Sequence, residues 1–124
     1  MPFLNVYLEY ESEVVDVLDG DGRSPLSFAD MHGKESVVQL LIEKGANFEL
    51  RVKWGMTPLS WAAYRGHEGV VKVLLRSGAQ IDAEQLESGS TTGMTALACA
   101  AYSGREKVVK LLTRERSKTR SRDW

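Results

Sequence analysis

The stretch that decides the fold is WGMTPLSWAAYRGHEGVVKVLLRSGA, residues 54–79 of the 124-residue chain. Thr57 precedes Pro58, and a hydroxyl acceptor followed by a proline, whose missing N–H costs nothing in a first turn, predicts a helix start. Gly66 supplies the backbone freedom that ends this helix after about two turns. A second amphipathic helix, closed by Gly78, is predicted by four apolar residues at i, i+1, i+4 and i+5: Val70, Val71, Leu74 and Leu75.

The same pattern occurs three times along the chain. Twelve positions between Gly22 and Ala46 recur thirty-three residues later, between Gly55 and Ala79, with Thr57 in place of Ser24. Nine positions of a third copy follow at an offset of thirty-eight, and the additional five residues fall in a polar stretch, EQLESGSTT at 84–92, that predicts a lengthened loop. Because helices of two or three turns are marginal alone, each two-helix unit must bury its apolar face against the next.

Three segments of these copies resemble the Gly-x-Thr-Pro-Leu-His signature of the ankyrin repeat: Gly-Arg-Ser-Pro-Leu-Ser at 22–27, Gly-Met-Thr-Pro-Leu-Ser-Trp-Ala-Ala at 55–63 and Gly-Met-Thr-Ala-Leu at 93–97. The signature histidine is replaced by Ser27, Ser60 and Ala98. The resemblance implies an all-α solenoid of stacked helix-turn-helix units joined by short β-hairpin turns. It also implies protein binding as the usual activity.

The repeat register predicts three regions. Residues 1–18 form a decayed or capping amino-terminal segment. Residues 19–113 hold the repeats, at about 19–51, 52–82 and 90–113, with a loop insertion at 83–92. Residues 114–124 form a basic, disordered tail. Because Leu112 is followed at once by that tail without a polar cap, we expect a fragment or a truncated relative of a longer array.

The resemblance also predicts which residues face a partner, since in this family these are the hairpin tips and the pair of residues before the glycine that ends the first helix. By register they are Asp21, Arg23, Met31, His32, Lys53, Trp54, Met56, Tyr64, Arg65, Met94 and Tyr102. Trp54, Tyr64 and Tyr102 are the candidate anchors, because aromatic side chains dominate interface energies. The alternative is that these rings pack along the ridge between neighbouring units and only stabilise it.

Other side chains have structural interpretations. Trp61 and Cys99 lie on the predicted packing faces and are interpreted as buried. Asp30 stands where the other copies have Ala63 and Ala101, a position that is costly for a carboxylate unless a donor meets it. His32 and His67 are interpreted as surface or helix-capping residues, since the repeat pattern assembles no nucleophile, base and orienting group and no metal-ligand spacing. We therefore expect no catalysis, metal or cofactor.

Charge and cysteine content complete the expectations. The single cysteine favours a reducing, intracellular compartment, with the cytoplasm first and the nucleus as the alternative, and we expect no signal peptide or membrane anchor. The formal net charge is −1, but residues 113–124 hold five basic residues against two acidic ones. The leading hypothesis is a protein-interaction module or scaffold, a monomer or part of a longer array. The alternative is a nucleic-acid-associated regulatory protein that uses the basic tail, although nucleic acid is not the expected partner.

Overall fold

A computed structural model describes residues 16–20, 22–51, 56–82 and 95–121 of the chain. Six helices occupy this part, numbered here in chain order. They are α1 (Pro25–Met31), α2 (Glu35–Glu43), α3 (Pro58–Arg65), α4 (Glu68–Ser77), α5 (Ala96–Tyr102) and α6 (Glu106–Ser121).

Each unit begins with the same hydroxyl cap. The side-chain oxygens of Ser24, Thr57 and Thr95 accept hydrogen bonds from backbone N–H groups three residues ahead, at 3.1, 3.2 and 3.3 Å. These bonds satisfy a donor that the first turn of a helix cannot pair internally. The helix starts predicted at Thr57 and Pro58, and at the equivalent residues of the other copies, are therefore confirmed.

The helices form two layers. The first helices of the three units, α1, α3 and α5, pack side by side in one layer, which we call the first-helix layer. The second helices, α2, α4 and α6, form the second-helix layer, and each also packs on the first helix of its own unit. The predicted all-α stack of two-helix units is thus confirmed. None of the described residues forms a strand, and four of the predicted turn-tip residues lie outside them: Asp21, Lys53, Trp54 and Met94.

The core lies between the layers and between the units. Leu26, Leu59, Leu74 and Leu112 are all fully buried in one continuous cluster. The first valine of a Val-Val pair is buried only where a described unit precedes it, since Val70 of the middle unit is 1% exposed whereas its equivalent Val37, with no described unit before it, is 46% exposed. Burial of these apolar side chains is the main contribution to the free energy that holds the units together, at about 25 cal/mol per Å² of apolar surface buried.

The prediction of a disordered tail is wrong for residues 114–121, which continue α6 as helix. The first half of α6 packs on the core through Val108 and Leu112. The backbone hydrogen bonds of the helix continue from this packed half into residues 114–121. Polar contacts support the extension, since Arg116 pairs with Asp82 at 3.4 Å and Lys118 with Glu115 at 3.3 Å. The lack of apolar periodicity in the tail does not prevent helix formation, because propagation adds a hydrogen bond for each residue fixed.

Several predictions fall on residues outside the described ones. These are residues 1–15 of the amino-terminal segment, the loop insertion at 83–92 and the last three residues of the chain. Within the described helices, none is long and apolar enough to cross a membrane.

Candidate functional site

The structure divides the predicted partner-facing residues into four groups. His32, Tyr64, Arg65 and Tyr102 are exposed, Arg23 and Met31 are half-buried, Met56 is buried, and Asp21, Lys53, Trp54 and Met94 lie outside the described residues. The exposed members come from the ends of the three first helices. Together with the half-buried Met31 and Ser103, they form two rows along the stack in repeat register, one of Met31, Tyr64 and Tyr102 and one of His32, Arg65 and Ser103.

An aromatic ridge runs along the first row. The rings of Tyr64 and Tyr102, on neighbouring units, are stacked with centroids 6.4 Å apart and an angle of 17° between their planes. Trp61 meets Tyr64 edge to face at 6.3 Å and 87°. Tyr64 is 38% exposed and Tyr102 is 78% exposed, so both retain free ring surface in addition to their mutual contact. Ring packing between neighbouring units, the alternative interpretation, is therefore observed for Tyr64 and Tyr102, and the anchor role stays a prediction.

Met56 does not belong to the exposed surface, and its assignment as a partner-facing residue is wrong. Its side chain is 7% exposed and packs in a small cluster with Trp61, Cys99 and the half-buried Met31. A flexible thioether fills the irregular space beside a large indole more readily than it stays in water. The burial predicted for Trp61 and Cys99 is confirmed by the same cluster.

Arg23 has a partner within its own unit. Its guanidinium carbon lies 5.4 Å from the ring centroid of Phe28, a cation–π arrangement. Its backbone N–H donates to Asp19 at 2.9 Å. These contacts hold the turn before α1 against the helix and leave Arg23 only half-buried.

A recurring hydrogen bond joins the second and the third described units to the unit before them. The Nε2–H of His67 donates to the backbone carbonyl of Met31 at 2.9 Å, and the Nε–H of Arg105 donates to the carbonyl of Tyr64 at 3.2 Å. His67 and Arg105 occupy the same register position, directly after the glycine that ends the first helix. The two acceptor residues, Met31 and Tyr64, belong to the first row. The bond therefore fixes the ends of the first helices from which the exposed side chains project.

The glycines before these donors are needed for close approach as well as for conformation. Gly33 has φ +68°, and a Cβ built there would meet the His67 ring at 2.7 Å. Gly66 has φ +76°, and its Cβ would meet the side chain of Arg105, also at 2.7 Å. Any larger residue would push away the side chain that connects the units.

Burial raises the pKa of two side chains, Asp30 and Cys99. Burial raises the pKa of Asp30 well above its usual range, and no donor in the described part of the chain reaches either of its carboxyl oxygens. Burial also raises the pKa of the Cys99 thiol, although a side-chain hydrogen bond with Ser60 opposes the shift. A thiol that keeps its proton is a poor nucleophile, so Cys99 behaves as a small apolar residue.

A comparison with known protein families also finds repeats in this chain. A family model described as ankyrin repeats, in three copies, matches residues 2–85 and 54–123, which together include most of the chain. This chain belongs to the ankyrin-repeat family.

One curated relative is similar over part of this ankyrin-repeat chain. The E3 ubiquitin-protein ligase KEG of Arabidopsis thaliana is 46% identical over 48 residues, which are 39% of this chain and 3% of that protein. The match therefore spans a small fraction of the relative's length.

The ankyrin register contains a signal for the unit-joining residues that the sequence analysis did not use. Lys34, His67 and Arg105 all follow the glycine that ends a first helix, and each carries a nitrogen donor on its side chain. A donor repeated at one register position is the pattern expected of a bond repeated between units. Among the described residues of these repeats, no group of three or more His, Cys, Asp or Glu side chains could hold a metal ion.

Proposed function

We propose that this chain is a non-catalytic protein-binding module whose contact surface is formed by the exposed ends of the first helices. The observation that supports this most directly is the stacked, exposed pair Tyr64 and Tyr102. Ankyrin-repeat proteins typically bind other proteins and are typically non-catalytic, and the family membership supports that activity here.

The tyrosine pair has the physical properties of an interface anchor. Each ring brings a large apolar face and a hydroxyl group, and its two side-chain torsions cost little entropy to immobilise. The stacking of Tyr64 on Tyr102 restricts both rings before any partner arrives. Restriction in the free protein lowers the ordering cost of binding, which is a large part of what association must overcome.

The second row indicates the polarity of the partner. His32 and Arg65 are exposed beside the tyrosines, at the register position directly before the terminal glycine. They supply donors and, at Arg65, a permanent positive charge. A partner with an apolar side chain for the rings and acidic or carbonyl oxygens beside it would match this surface.

The proposal is tested by locating the captured protein. A photo-crosslinking residue placed at Tyr102 should attach to the partner in extracts of cells that naturally express this chain, whereas the same residue at Val37 should not. Val37 is a fair reference because it is also an exposed apolar position, on the second-helix layer. We expect the double variant Tyr64→Ala, Tyr102→Ala to weaken capture by about tenfold or more, the effect of losing anchor residues.

The matched control is Val37→Ala, Leu40→Ala, which removes two exposed apolar side chains from α2. Both double variants should keep the helical circular-dichroism signal of the parent. Capture that survives the tyrosine substitutions but is lost with the α2 substitutions would place the interface elsewhere and refute the proposal.

Neither comparison supports the nucleic-acid alternative, and two of the tail's described cations, Arg116 and Lys118, are already paired with carboxylates. The match to a ubiquitin ligase covers 48 residues, which is too short to support a ubiquitin-ligase activity for this chain. We do not propose either activity.

The unit boundaries at about 19–51, 52–82 and 90–113 remain proposals, as do an intracellular location, in the cytoplasm or the nucleus, and a monomer or a longer array. The helix pairs α1–α2, α3–α4 and α5–α6 fit these boundaries, except that α6 extends beyond residue 113. The buried, protonated Cys99 suits a reducing compartment but does not require one.

A further inference from the structure

We propose that a basic groove between α4 and α6, in the second-helix layer, is a second binding site that takes an acidic peptide segment carrying an apolar side chain. This site is separate from the tyrosine ridge, which belongs to the first-helix layer. The groove has a volume of about 240 Å³ and is lined by Lys72, Leu75 and Arg76 of α4 and by Leu111, Arg114 and Glu115 of α6.

The groove has an apolar floor and a basic rim. Leu111 is buried and Leu75 is half-buried, and both pack with the hydrophobic core. Lys72, Arg76 and Arg114 are exposed above them. An apolar side chain that enters the groove would therefore cover leucine surface while its neighbours in the partner remain within reach of the cations.

The positive charge of the rim is only partly neutralised. Glu115 is bound by Lys118 at 3.3 Å, and Lys72 is bound by Glu68 at 3.6 Å. Arg76 and Arg114 form no ion pair with any residue in the described ranges. Two guanidinium groups are thus available on opposite sides of the groove, and guanidinium binds carboxylates through paired hydrogen bonds.

The equivalent space between α2 and α4 shows that this charge is not a general property of the layer. The equivalents of Lys72, Leu75 and Arg76 on α2 are Gln39, Ile42 and Glu43, and those of Leu111, Arg114 and Glu115 on α4 are Val73, Arg76 and Ser77. One acid and one base balance there. The α4–α6 groove instead has three bases and one acid.

The lining favours an acidic peptide over a nucleic acid. Single-stranded nucleic acids are usually held by aromatic platforms together with a long basic track, whereas the six lining residues include no aromatic ring. Two leucines offer a surface that an aliphatic or aromatic side chain can cover and a phosphate cannot. Charge complementarity and apolar burial together therefore select a peptide of mixed acidic and apolar residues.

The test is fluorescence anisotropy with a labelled peptide of alternating glutamate and leucine, beside a matched peptide of glutamine and leucine. We expect the parent chain to bind the glutamate peptide more tightly, with an affinity that falls as salt rises. The double variant Arg76→Ala, Arg114→Ala should weaken binding by about tenfold or more, since two charge-assisted contacts are removed.

The control variant Lys34→Ala, Lys44→Ala removes the same net charge from exposed positions outside the groove and should bind as the parent does. The variant Tyr64→Ala, Tyr102→Ala should also bind normally, and thermal melts should show that all three variants fold. The proposal is overturned if the lysine variant loses as much affinity as the arginine variant, or if the tyrosine variant loses binding. It is also overturned if the two peptides bind equally, if the parent binds neither, or if a single-stranded oligonucleotide binds more tightly.

Discussion

At residue 30 the chain has a carboxyl group where its second and third units have the methyl groups of Ala63 and Ala101. The side chain of Asp30 is fully buried, and its oxygens accept no hydrogen bond from the described residues. Ionising this buried carboxyl group would place a negative charge away from water with no hydrogen bond to stabilise it. The group therefore keeps its proton to a higher pH than it does in the unfolded chain.

We expect Asp30→Ala to raise the free energy of unfolding by about 1–3 kcal/mol at neutral pH, the usual cost of a buried polar group without a partner. The folded-state pKa is raised above the unfolded value, so the native chain binds the proton more tightly and loses stability as pH rises from the unfolded value, near 3.8, toward the folded one. The benefit of the substitution should therefore be smaller below that window. Urea unfolding of both proteins across the acid range measures this difference.

Two further variants separate the causes. Asp30→Asn cannot ionise but remains polar, so it should remove the pH-dependent part alone. Glu43→Ala removes an exposed carboxylate and should change stability little. A stability difference between the parent and Asp30→Ala that does not vary with pH would contradict a buried, titrating carboxyl group.

At the residue scale, the sequence predicted burial correctly for side chains on the packing face of a helix. Trp61 and Cys99 are examples. It failed at Met56, because a position before the first helix can point either to solvent or to the neighbouring unit, and the choice depends on Trp61 and Met31 across the cluster. The ring stacking of Tyr64 on Tyr102 likewise depends on the distance between units, which no single repeat specifies.

At the scale of the element, the contact between one helix end and the next unit can be isolated with a matched pair of glycines. Gly33 and Gly104 share a register position and have φ +68° and +71°. A Cβ at Gly33 would meet the ring of His67, whereas a Cβ at Gly104 would have no atom within 4 Å. The two sites therefore differ in the packed neighbour but hardly in backbone conformation.

We expect Gly104→Ala to cost about 1–2 kcal/mol from the left-handed backbone alone. Gly33→Ala should cost about 1 kcal/mol more, because His67 must move and lose its hydrogen bond to Met31. Denaturant unfolding of the two variants gives the difference.

The double variant Gly33→Ala, His67→Ala provides the check, since removal of the ring leaves nothing for the new methyl group to meet. Its total cost should be less than the sum of the single costs, as expected for groups in contact. Additive costs, or equal costs for Gly33→Ala and Gly104→Ala, would show that the ring does not pack on Gly33 in solution.

The helices themselves were largely predictable, since hydroxyl caps, prolines and terminal glycines mark their ends locally. The length of α6 was not. Its continuation through Ser121 depends on tertiary support for the first half of the helix and on pairs such as Arg116 with Asp82, a residue of the preceding unit. Local composition cannot contain that information.

On the scale of the whole molecule, burial is uneven along the stack. The middle unit is covered on both sides, so Val70 and Val71 are both buried, while Val37 is exposed in the first unit and Val109 is half-buried in the third. In a repeat array, stability is close to a sum of units and their interfaces. Among the three described units, the first and the third therefore have less interface stability than the middle one.

We expect a modest, weakly cooperative unfolding transition, because about three units are the lower limit for a stable array. Native-state hydrogen exchange should find the slowest amides in α3 and α4, with faster exchange in α2 and in the last turns of α6. A steep melt at high temperature, or uniform protection across the six helices, would contradict this description.

The bonds from His67 and Arg105 end on main-chain carbonyls, which every amino acid possesses. A substitution at Tyr64 can therefore alter the side chain on the proposed contact surface without deleting the acceptor on which the next unit docks. The hydrogen bond between units is in this way independent of the side chain at the acceptor residue. Variation of the exposed side chain at Tyr64 therefore leaves in place the main-chain acceptor that orients the following unit.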